Sequence, residues 1–232
     1  MWGDAAYWNR FRRKYDECGY RTEAFDFMHH GKPQDSSKLR HVGIMDYVEQ
    51  AASVIEKLPD RPVVFGHSMG ALVAQKLAER GLVRAMVLVA PVAPAGISCG
   101  TWSSIFCISG NLHQIVLQRP FRIPWFQARH GILNTLGPRE MIGIHGSFVY
   151  ESGKVMRQIV TGAIAVDERK VLCPVLAVVG SEDRATPPVI VRKIAEKYHA
   201  DYREYPGCGH YLGIAWDTID GVLAWVKAQE MS

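Results

Sequence analysis

The sequence predicts an α/β fold: a predominantly parallel sheet with helices on both faces and a helical cap inserted into it. Three observations carry this. Runs of strand formers alternate with helix-length stretches, the order in which helices connect neighbouring parallel strands. The septet FGHSMGA (65–71) turns one such strand at once into a helix. A block rich in Trp, Phe, Ile and Gly, from about 96 to 165, interrupts the alternation, which then resumes.

Residues 5–18 read as an amphipathic helix, with Trp8, Phe11 and Tyr15 at helical spacing and Gly19 as terminator. RTEAFDF (21–27) reads as a strand and the turn-rich HHGKPQDSS (29–37) as a loop. Residues 44–58 form a helix that stops before Pro59. PVVFGH (62–67) is a buried strand, and the helix after it runs to Arg80, with Gly81 as its C-cap. AMVLVAP (85–91) is the next strand. Pro120, Pro124 and Pro138 divide the interrupting block into short helices. PVLAVVG (174–180) and DYREYPG (201–207) are strands separated by a helix over 188–199, and a helix over 211–228 closes the chain. The domain reading is therefore a core of 1–95 and 166–232 with a cap of 96–165. The cap is expected over the carboxyl ends of the strands, where ligands bind in such sheets.

Nearly half of the 232 residues are apolar, enough for a sizeable core, and the net charge is +4. The basic residues are scattered, as in RFRRK (10–14), without the aromatic-interleaved stripe of a nucleic-acid face; no nucleic-acid partner is expected. No apolar run reaches the roughly 18–20 residues of a membrane span. The first residues, MWGDAAYWNRFRRK, contain no apolar run of the signal-peptide type. Five cysteines at irregular spacing include no C-x-x-C pair, so neither a metal site nor a redox motif is expected. Cys107 and Cys173 read as buried thiols in a reduced, cytoplasmic protein.

The chemistry sits in the septet. Gly66 and Gly70 flank Ser68 at a sharp strand-to-helix bend, the G-x-S-x-G nucleophile elbow. A serine hydroxyl is a poor nucleophile until a base takes its proton, and imidazole titrates near neutrality. Of nine histidines, His210 in PGCGHYLG follows the last strand, at the edge of the sheet where Ser68 stands. His67 adjoins the nucleophile, with its side chain expected to turn away from the apex; it is kept as a pocket residue. His29 and His30 follow a strand and are candidates for the pocket mouth or for a solvated loop. The orienting acid is expected in VVGSEDRATPP (178–188). Asp183 fits the G-x-x-D spacing ahead of a proline, and Glu182 is its rival.

With GHSMG, GSEDRATPP and GCGH in that order, the chain resembles the α/β-hydrolase superfamily, and its small lidded esterase- or lipase-like members in particular. The resemblance spans essentially all residues. It implies a Ser68–His210–Asp183 triad, a helical lid and no cofactor. It also implies an oxyanion hole of two backbone N–H groups, one from Met69 and one from a loop after an early strand. Met1-Trp2-Gly3 is similar to the tail of that loop, with the strand and its His-Gly pair missing, so Met1 and Trp2 are the candidates for the second donor. In the superfamily that strand lies between those matching 21–27 and 62–67. Three arrangements could deal with its absence: residues upstream complete the sheet, the two neighbours close on each other, or a partner chain supplies the strand.

The cap aromatics Trp102, Phe106, Trp125, Phe126 and Phe148 are expected to line an apolar site. No Arg or Lys is clearly placed to bind a carboxylate, Arg119, Arg122 and Arg129 being no more than candidates. Uncharged carboxylic esters of short to medium chain are therefore the expected substrates. Lactone or thioester hydrolysis, acyl transfer, and a hydrolase-fold binding protein with an incomplete oxyanion hole are the alternatives. Oligomeric state has no signature in the sequence.

Overall fold

The computed structural model describes residues 1–212 and 216–230. Four strands, β1 (Val63–His67), β2 (Ala85–Val89), β3 (Val175–Gly180) and β4 (Asp201–Tyr205), form one parallel sheet in that spatial order. The central strands AMVLV and VLAVVG are buried throughout, as continuous apolar strands covered on both faces must be. DYREY carries charge along an exposed edge, which discourages further pairing.

The first α-helices are α1 (Asn9–Glu17), α2 (Ile44–Ile55) and α3 (Met69–Glu79); α9 (Pro188–Tyr198) and α10 (Trp216–Glu230) follow later in the chain. Side-chain alternation sorts the strand residues between two clusters. Met86 and Leu88 pack with Tyr47 and Val48 of α2, Leu72 and Leu77 of α3 and Ile194 of α9. Val87, Val89, Leu176 and Val178 pack on the other face with Phe11 and Tyr15 of α1 and Ile219, Val222 and Val226 of α10. The buried pair Phe11 and Tyr15, four residues apart, follows from the helical spacing that marked this segment.

Between β2 and β3 lie five short helices, α4 (Trp102–Ser109), α5 (Leu112–Val116), α6 (Trp125–Gly131), α7 (Pro138–Ser147) and α8 (Gly153–Val160). They share a core of their own that includes Ile115, Phe121, Ile123, Leu133 and Phe148, joined by Trp2 from the start of the chain. Side chains cap two of them: Thr101 accepts from Ser104 N–H and Ser152 from Val155 N–H. Among the described residues, no helix is long and apolar enough to cross a membrane.

The structure corrects several expectations. Residues 21–27 run alongside the core but pair with no strand. Their alternation of polar and apolar residues, Arg21 to Phe27, is strand-like, but among the described residues none of their backbone groups bonds to the outer edge of β1. Sequence residues 5–18 divide into a 3₁₀ turn, Ala5–Trp8, capped by Asp4, and then α1. The strand ends are one or two residues shorter than expected, and the expected start of the last helix falls partly on 213–215, outside the described residues. Cys107 is buried, but Cys173 is only half-buried.

Candidate active site

Ser68 stands between β1 and α3 with φ 54° and ψ −118°, a sparsely populated conformation that costs a residue with a side chain on the order of 1–3 kcal/mol. Gly66 permits the bend. A Cβ there would sit 2.5 Å from Ala71 Cα and from Gly70 O. Gly70 is not needed for close approach, since a Cβ at 70 would meet nothing within 4 Å. The backbone is pinned on both sides of the apex: Ser68 N–H donates to Val89 O at 2.9 Å, and Ser68 O accepts from Val92 N–H at 3.1 Å. Met69 opens α3, so its N–H is among the first of a helix, which lack intrahelical acceptors and carry the positive end of the helix dipole.

His210 and Asp183 come from loops at the carboxyl ends of β4 and β3, and both are 3% exposed. His210 Nδ1 lies 2.9 Å from Asp183 Oδ2. A carboxylate only accepts, so Nδ1 carries the proton and Nε2 is left as the free base. Asp183 is itself fixed by the turn that follows it. Ala185 N–H and Thr186 N–H donate to Oδ1 at 2.8 and 2.9 Å. Thr186 Oγ1 lies 2.9 Å from Asp183 Oδ2, 3.0 Å from Ala90 O and 3.3 Å from His210 Nδ1. Ala90, at φ 46°, aims its carbonyl at this hydroxyl from the end of β2.

Sequence reasoning missed Thr186 and Ala90. The signal for Thr186 was available, because a threonine three residues after an aspartate in a turn is placed to bond it; the strain at Ala90 leaves no mark in the sequence. Thr186→Val keeps the shape and removes the hydroxyl, leaving Ala90 O without its donor. A loss of about 1–3 kcal/mol in urea unfolding is expected, together with reduced turnover.

Ser68, Met69, His210, His67, Met1, Trp2 and Phe148 all line one cavity of about 560 Å³. No hydrogen bond joins Ser68 to His210 among the described residues. Trp2 has φ 55° and is anchored by its carbonyl, which accepts from Val149 N–H at 2.8 Å. Burial pushes the Met1 amine below its usual range, against the opposing pull of Glu151. Glu151, fully buried, is tied to Tyr47 Oη at 2.7 Å and His30 Nε2 at 3.1 Å. His30 is thus a buried partner of Glu151 and not a solvated loop residue.

His67 stacks on Tyr7, with ring centroids 4.4 Å apart, and donates from Nε2 to His210 O at 2.9 Å. It ties down the loop that carries His210. Loss of hydration inside this cluster, with His210 adding to it, holds His67 well below the usual histidine range. Unfolding restores the ordinary value near 6.5. Below that pH the unfolded chain binds a proton that the folded chain refuses, so stability falls as pH falls. Relative to His67→Gln, the wild-type protein should lose up to about 1.4 kcal/mol per pH unit below pH 6.5, measured as unfolding free energy against pH.

Four of the five aromatics expected to line the site lie outside this cavity. Trp102, at the start of α4, is 90% exposed, because the inward side of that helix is taken by Cys107. Phe106 meets the rings of Phe126 and His130 between α4 and α6, and Trp125 meets His145. Among the described residues no cluster of His, Cys, Asp and Glu could hold a metal ion.

Comparison with known proteins decides the family. The model of the alpha/beta hydrolase family matches residues 1–220. The chain belongs to that family. Solved structures share its fold at low identity. A monoacylglycerol lipase from Paleococcus ferrophilus is 22% identical, with a TM-score of 0.73 over 99% of this chain and 91% of its own. Polyneuridine aldehyde esterase is 14% identical, with a TM-score of 0.71 over 96% and 94%. A methylesterase from Arabidopsis is 13% identical, with a TM-score of 0.72 over 97% and 94%. No curated protein sequence matches this alpha/beta hydrolase.

Proposed function

We propose that this alpha/beta hydrolase is a serine hydrolase that cleaves uncharged carboxylic esters of short to medium chain through an acyl-enzyme. The observation that carries the reading is the strained Ser68 at the tip of its bend, opening on the same cavity as His210, whose ring is held by Asp183. His210 Nε2 takes the Ser68 proton as Oγ attacks the ester carbonyl. The oxyanion lies against Met69 N–H, with the second donor from the Met1–Trp2 segment. His210 then protonates the leaving alcohol and activates the water that releases the acid. Asp183 holds the imidazole in the tautomer this needs and faces the imidazolium as it forms. No cofactor takes part in these steps. The esterases and the lipase among the structural neighbours agree with this chemistry. So does the lining of the cavity, which is largely apolar side chains.

Two reagents test it together. A fluorophosphonate probe is expected to label Ser68, and p-nitrophenyl butyrate is expected to be turned over. Labelling without turnover would mean an activated serine with an incomplete oxyanion hole. Neither signal would overturn the proposal and leave a hydrolase-fold binding protein.

A further inference from the structure

The loops that carry Asp183 and His210 are held by a third segment. In the block of short helices, a tight turn follows α6, closed by Leu136 N–H donating to Leu133 O at 3.0 Å. Leu133 is fully buried in the core of that block and Leu136 packs against it, so the base of the turn is fixed. Asn134 and Thr135 stand at its tip, and each reaches a different loop. Asn134 Nδ2 donates to Glu182 O at 2.9 Å, one residue before Asp183. Thr135 Oγ1 accepts from Gly209 N–H at 3.1 Å, one residue before His210.

A further bond completes a circuit. Glu182 N–H donates to Cys208 O at 2.9 Å, so the two loops are also tied to each other. Glu182 thus binds the His210 loop through its N–H and the turn through its carbonyl. Apolar contact runs alongside. Ala185 and Tyr211, just past Asp183 and His210, pack against the same short-helix core. Ile132, two residues ahead of Asn134, belongs to that core and lines the cavity. The approach is close: a Cβ on the buried Gly209 would lie 2.8 Å from Thr135 Oγ1 and 3.0 Å from Asn134 Oδ1.

We propose that Asn134 and Thr135 are positioning residues, which make the short-helix block hold the Asp183 and His210 loops in working register. Thr186 and His67 tie these loops to the strand ends, through Ala90 O and His210 O. The turn ties them to the block beside the cavity, so the seating of that block enters the geometry of the pair. Reacting groups displaced by about 1 Å can lose about 10² in rate, so such support is felt in turnover. The effect on rate rests on the Ser68 reading; the effect on the loops does not.

The test uses the full chain under conditions where every variant is folded. Thr135→Val keeps the shape and removes the acceptor. Gly209→Ala crowds the same contact from the other side and removes no polar group. Thr135→Ser keeps the hydroxyl. With p-nitrophenyl butyrate, kcat is expected to fall about tenfold or more in Thr135→Val and Gly209→Ala, with KM within about twofold of wild type. Thr135→Ser should keep kcat within about twofold. The second readout is amide hydrogen exchange at Asp183, whose N–H donates to Gly180 O on the loop that Thr135 does not touch. Thr135→Val is expected to speed that exchange by about tenfold, whereas a purely local bond would free Gly209 alone. Exchange needs no turnover, so an inactive wild-type protein overturns the Ser68 reading and leaves this readout to decide the proposal. The proposal is overturned if Asp183 exchanges at the wild-type rate in Thr135→Val. It is equally overturned if, in an active enzyme, that variant loses only KM, keeps wild-type kcat, or is no slower than Thr135→Ser.

Discussion

Ser68→Ala is expected to remove turnover of p-nitrophenyl butyrate down to background, a fall of about 10⁶ in kcat if the three side chains act as a unit. Fluorophosphonate labelling should vanish with it. Alanine keeps a Cβ, and so keeps the backbone cost that the tip of the bend already carries. The variant should therefore fold with wild-type cooperativity in urea. That separates loss of chemistry from loss of structure. Residual activity within about tenfold of wild type would mean that another group does the work.

Gly180→Ala is expected to have the second largest effect, for a different reason. Gly180 ends β3, and a Cβ there would collide with the Cys208 carbonyl oxygen and lie 2.7 Å from Gly209 O. Both obstacles are backbone atoms of the loop that carries His210, so no side chain can swing aside. The same residue starts the turn to Asp183, whose N–H donates to Gly180 O at 3.1 Å. A single added methyl group thus pushes apart the two loops that hold the 2.9 Å His210–Asp183 bond. A stability loss of about 1–3 kcal/mol is expected from overpacking. A fall in turnover of about 10²-fold or more should remain under conditions where the variant is fully folded. Circular dichroism melting and steady-state kinetics on the same sample check both parts.

Much of this was legible in the sequence. The four strands that pair, the helices between them and the short-helix block follow from apolar runs, spacing and proline breaks. The order Ser68, Asp183, His210 follows from each lying just past a strand. Residues 21–27 were misread because alternation reports a half-buried chain, while a strand also needs a neighbour to bond with. The aromatics of the short-helix block are not placed by sequence, because aromatic content does not say which side of a short helix faces in; Phe148 faces the cavity and Trp102 does not. Gly180 and Ala90 are matters of backbone approach and strain between loops distant in sequence, and no local pattern encodes them. Of the three arrangements considered for the sheet beside β1, direct pairing of residues 21–27 with that strand is not the one the structure adopts.

The claim on which the reading stands is that the hydroxyl, the imidazole and the carboxylate work as one device. Kinetics of Ser68→Ala, His210→Ala and the double variant Ser68→Ala/His210→Ala, each normalised to folded protein, test it most directly. If the groups form a unit, the double variant is no slower than the worse single variant, since removing one member already removes the function of the other. Losses that multiply, with each single variant retaining much of the wild-type rate, would contradict the account.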